Sequence, residues 1–94
     1  APSTLFDDPR EVGVYDAAGR SVVVDARGQI SAIPVRVAAE QDHAVVAWAG
    51  PWPISETWWS QPRRGAWLQV TPAEGPAMLL SAQSGTWLLE GLYD

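Results

Sequence analysis

Apolar and polar residues alternate with a period of two through several parts of the chain, the pattern of strands that turn one face to a core. In AIPVRVA (32–38), Ile33, Val35 and Val37 alternate with Pro34, Arg36 and Ala38. Pro34 has no N–H to give to a ladder, which predicts an edge or bulge position for that strand. SVVVD (21–25) is a three-valine run between polar residues, and AVVAWAG (44–50) is short, apolar and expected to be buried. Upstream, Val12, Val14 and Tyr15 lead into DAAGR (16–20), where Gly19 suits a hairpin turn that needs a positive φ. WLQVT (67–71), AMLLSAQ (77–83) and TWLLEGLY (86–93) form a meander joined by PAEGP and a short SG connection. Three strands with short turns suffice for independent sheet stability, so the meander is expected to be the most regular part.

Helical periodicity is nearly absent. SETWWSQ (55–61) could form one turn, with Ser55 as its cap, Glu56 in its first turn and Pro62 to stop it. Residues 1–10 carry prolines and aspartates without a period, which predicts an extended arm ahead of a single domain over 11–94. The expected fold is all-β. About seven short strands would make a small barrel or two packed antiparallel sheets, with at most a short helical turn.

Composition narrows the class. A chain of 94 residues supports one modest core, and with no cysteine it has no disulfide to staple it. No apolar run approaches the roughly 18 residues of a membrane helix. The first residues lack the charged and apolar regions of an export signal, and a cytoplasmic location is expected. Eleven acids face six bases, all arginine, for a net charge of −5. That field repels phosphate, so direct nucleic-acid binding is not expected; only Arg63 and Arg64 are adjacent.

The residues of catalysis are missing in recognisable arrangements. His43 is the single histidine and has no carboxylates at a metal-ligand spacing around it. Gly13, Gly19 and Gly28 lack the spacing of a phosphate-binding loop. No catalytic, cofactor-binding or metal-ligating residue is assigned, no cofactor is expected, and an enzyme is not.

Tryptophan is the exception. GPWPISETWWSQPRRGAWLQV (50–70) holds four of the six tryptophans. Trp48 and Trp87, inside apolar strands, are expected in the core together with Trp67. Trp52 sits between two prolines, and Trp58 and Trp59 are adjacent. Neighbours on a strand face opposite ways, and in a helical turn they diverge by about 100°. At least one ring of that pair is therefore a candidate for exposure. Tryptophan and arginine dominate binding hot spots, so Trp52, Ile54, Trp58, Trp59, Arg63 and Arg64 are candidate protein-interface residues. From the residues alone, core and interface remain about equal for this segment. An alternative is a barrel that stacks single-stranded nucleic acid on Trp52, Trp58 or Trp59 beside Arg63 and Arg64.

GPWPISETWW, then QPRRGAWLQV, then SGTWLLEGLYD resemble the C-terminal domain of ImuB proteins, catalytically inactive Y-family polymerase homologues of the bacterial inducible-mutagenesis cassette. The similarity extends more loosely through VYDAAGRSVVV and covers about residues 10–94. Leu88 departs from it where the family often places a second aromatic residue. The resemblance implies a non-catalytic adaptor of translesion synthesis. Its partners would be an ImuA-type RecA-like protein and an error-prone replicative-type polymerase α subunit. QPRRG lacks the apolar residues of a clamp-binding peptide, so the sliding clamp would be reached only through sequence outside these residues.

Overall fold

The structure, a computed structural model, describes residues 4–54, 57–58, 61–62 and 65–93, with 57–58 and 61–62 described by backbone alone. Its strands are β1 (Thr4–Tyr15), β2 (Arg36–Ala38), β3 (Asp42–Pro53), β4 (Thr57–Trp58), β5 (Gln61–Pro62), β6 (Ala66–Pro72), β7 (Ala77–Gln83) and β8 (Thr86–Tyr93). Six of them close into a barrel in the order β1-β2-β3-β6-β7-β8, while β4 and β5 form a separate two-stranded ladder. The fold is all-β, as expected, and of the two arrangements it is the barrel. Every strand pair is antiparallel.

The meander β6–β7–β8 follows its sequence pattern closely. Ala66, Leu68, Val70 and Pro72 are buried, whereas Trp67, Gln69 and Thr71 between them are half-exposed. Leu80 lies opposite Leu68 and Met78 opposite Val70, so their side chains share the inner face. The Ser84–Gly85 turn has φ of 54° and 78°. Positive φ at both central residues is what a two-residue hairpin needs to match strand twist.

The buried core is Val12 and Val14 of β1, Val37 of β2, Leu68 and Val70 of β6, Met78 and Leu80 of β7, Trp87 of β8, and Val22. Burying each of the larger side chains contributes about 1.5–3 kcal/mol, the main favourable term at this size. The outer side of the meander is also partly covered. Ser81, on the side opposite Leu80, is fully buried and donates its hydroxyl hydrogen to the buried carboxylate of Glu90. Gln83 Nε2 donates to Ser81 Oγ at 3.3 Å. A buried carboxylate needs such partners, because unpaired it would lose its hydration without replacement.

Several local expectations change. The stretch expected as an extended arm ahead of the domain enters the barrel, since β1 starts at Thr4 and pairs with β8 at Thr4, Leu5 and Arg10 to Val12, with a register break between Leu5 and Arg10. SVVVD is not a ladder strand. It belongs to a plug between β1 and β2 made of two equivalent turns. Asp16 Oδ1 accepts from the N–H groups of Ala18 and Arg20, and Asp25 Oδ1 accepts from those of Arg27 and Gln29, each at 2.9 Å. In both turns the glycine N–H donates to the aspartate carbonyl at 3.0 Å. Aspartate here supplies the turn from its own side chain, which competes with strand pairing. The DAAG and DARG segments thus carry a local repeat that hydrophobic pattern alone does not reveal. Trp87 Nε1–H donates to the Val22 carbonyl at 2.7 Å and fastens the plug to the barrel end.

The strand expected over 32–38 is reduced to β2, with Pro34 buried just ahead of it. Thr57–Trp58 and Gln61 of the expected helical turn are extended, in β4 and β5; its other residues lie outside the described residues.

Candidate functional site

β3 is the anomaly of the barrel. It is a twelve-residue strand, yet only Val45 of it packs against the core, and that residue is half-buried. Val46, Ala47, Trp48 and Ala49 are all exposed, Val46 by 65%. From Val46 to Ala49 the run expected to be buried is therefore a solvent-facing apolar segment.

Pairing explains this. On one side β3 follows β6 from Val45 to Pro53, with register breaks between Val45 and Ala47 and between Ala49 and Trp52. On the other side β2 covers it only from Asp42 to Ala44, followed by one further bond, Val45 N–H to the Val35 carbonyl at 2.9 Å. Beyond Val45 no strand among the described residues pairs with that edge. A barrel wall that ends this early cannot close over the residues behind it.

Trp48 shows the consequence. It pairs with Val70, a core residue, and so lies on the inner side of the sheet. It is nonetheless 36% exposed and outside the core, correcting the expectation of a core tryptophan. Trp52 lies directly opposite Trp67 on the outer face and is 46% exposed, with Trp67 half-buried beside it. Cross-strand aromatic pairs of this kind contribute roughly 0.2–1 kcal/mol and hold each other's orientation. Trp87 is buried, in the place expected for it.

Of the other candidate interface residues, Ile54 is buried, so its side chain is not offered to a partner. Its backbone N–H donates to the Gly65 carbonyl at 3.0 Å, bracketing the excursion that carries β4 and β5. The backbone of Trp58 belongs to β4, while its side chain, Trp59, Arg63 and Arg64 lie outside the described residues. The structure thus leaves Trp52 of the expected set exposed and adds Val46, Ala47, Trp48 and Ala49. Sequence pattern missed these four because an unbroken apolar run normally marks burial on both faces. Only the brevity of β2 contradicts that.

Among the described residues no group of three or more His, Cys, Asp or Glu side chains could hold a metal ion. No helix among them is long and apolar enough to cross a membrane. Comparison of the chain with protein-family models, curated proteins and solved structures finds no match.

Proposed function

We propose that this domain is a non-catalytic protein-interaction module that binds an extended segment of its partner along the outer half of β3. The observation that carries the reading is the exposure of Val46 to Ala49 on a strand that adds only Val45 to the core. Apolar side chains flank an edge that has no neighbouring strand beyond Val45 among the described residues, the surface that strand addition uses. Main-chain hydrogen bonds would supply affinity, and Val46, Trp48 and Trp52 would supply side-chain selection. With the sequence resemblance, the segment belongs to an ImuA-type RecA-like protein or an error-prone polymerase α subunit, met in the cytoplasm as part of a translesion-synthesis hub.

Nucleic acid is the less favoured ligand. The net charge is −5, and Arg10 and Arg36 are already paired with Glu40 and Asp42.

The test is affinity capture of each purified partner by the domain, repeated with Val46→Lys, Ala47→Pro and Trp52→Ala. Each variant should weaken binding by roughly tenfold or more, about 1.4 kcal/mol, while retaining a cooperative unfolding transition. Unchanged binding in all three variants would remove β3 as the recognition surface.

A further inference from the structure

The two ends of the barrel differ. One is capped by the plug between β1 and β2, with Val22 in the core and its carbonyl bonded to Trp87. At the other end, the register break of β1, the β2–β3 turn and the β6–β7 turn surround a cleft of about 530 Å³. Phe6, Val12, Met78, Leu89 and Leu92 line it. Val12 and Met78 are members of the buried core, so the cleft opens directly onto it. Its volume lies in the range of ligand sites, about 300–1,000 Å³.

Acidic residues surround these apolar walls. Glu11, Glu40 and Glu74 line the same cleft, against Arg10 and His43. Arg10 pairs with Glu40, whereas Glu11 and Glu74 have no ion pair among the described residues. Asp7 and Asp8 follow Phe6 in β1 and are exposed. The local field is anionic, as is that of the whole chain at −5.

We infer that this cleft is a second docking site, one that takes a partner peptide with an aliphatic or aromatic side chain flanked by lysine or arginine. The apolar residue enters between Phe6, Met78 and Leu92, and the cations meet Glu11 and Glu74. A small polar metabolite is a poorer fit, since Glu11, Glu40, Gln41 and Glu74 are all exposed and give no desolvated polar anchor. Complementary charge at a wet rim speeds encounter and selects sign, while the apolar contact sets residence. The site is separate from the outer half of β3, so a two-site module could hold two partner segments at once.

The experiment is an amide and methyl chemical-shift titration of the 94-residue chain with the capped peptide Gly-Arg-Leu-Phe-Arg-Gly. Two controls replace both arginines by glutamate, or Leu-Phe by Ser-Ser. Saturable shifts at Val12, Met78, Leu89 and Leu92 are expected with the first peptide and not with either control. Glu11→Gln with Glu74→Gln should weaken binding by about three- to tenfold, and raised salt should act in the same direction. Both substitutions are at exposed positions, and a spectrum otherwise unchanged from the parent establishes that the fold is kept. Equal binding of the acidic peptide, or no shifts at millimolar peptide, would overturn the inference. So would shifts confined to Val46–Ala49, an outcome that leaves the β3 reading standing.

Discussion

At the scale of single residues, the tryptophans divide by what their ring nitrogen and faces meet. Trp87 is 5% exposed and its N–H satisfies the Val22 carbonyl, so it fills the core and holds the plug in one contact. Trp87→Phe keeps most of the volume but leaves that carbonyl unpaired, and should lower stability by about 1–3 kcal/mol. Trp87→Ala adds a cavity, for about 3–5 kcal/mol in all. Trp52, 46% exposed on the outer face, should lose about 1 kcal/mol on truncation to alanine, chiefly its contact with Trp67. Urea unfolding of the three variants checks the order. Were Trp52→Ala as damaging as Trp87→Ala, Trp52 would belong to the core and the proposed surface would lose one of its anchors.

At the scale of elements, the weak point is β2. It closes the barrel with three residues, held on the outer face by a stack in which the Arg36 guanidinium lies 4.5 Å from the centre of the Tyr15 ring. Tyr15 in turn covers Gly13, where a Cβ would come within 2.6 Å of the tyrosine ring. Arg36 Nη1 also donates to Asp42 Oδ1 at 3.1 Å, joining β2 to the start of β3. Arg36→Ala should lower stability by only about 0.5–1 kcal/mol, because the pair is partly exposed. Its clearer effect should be faster amide exchange in Val37 and His43 than in Leu68 or Leu80, since local opening starts where few contacts hold. Uniformly faster exchange would mean that β2 opens only with the whole barrel.

At the scale of the molecule, charge and shape act together. The radius of gyration is 12.7 Å, against about 12 Å expected for one compact domain of this length. The field of a −5 chain therefore surrounds a single body. Single-stranded DNA should show no appreciable binding at ~150 mM salt, measured by fluorescence anisotropy, because few phosphates could be neutralised. Micromolar binding lost on Arg63→Glu with Arg64→Glu would replace the protein-docking proposal by base stacking on exposed tryptophans. A basic partner should instead associate faster at low salt and slower at high salt.

Much of this protein is readable from its residues because the signals are local. Period-two alternation in WLQVT and the SG connection specify the meander, since a strand's side chains must alternate and a two-residue turn needs φ above zero. Isolated charge, absent cysteine and the lack of helical period likewise depend on no neighbour. The plug is half legible: Gly19 marks its turn, but the valines of SVVVD carry the pattern of a strand, and the bonds that Asp16 and Asp25 accept from their own backbones are what set them between two turns instead. Closure was decided by tertiary structure alone. Whether AVVAWAG is core or surface depends on how far β2 runs beside it, and β2 stops after Ala38. An apolar run states that burial is favourable; only the partners brought to each face and edge determine whether it occurs.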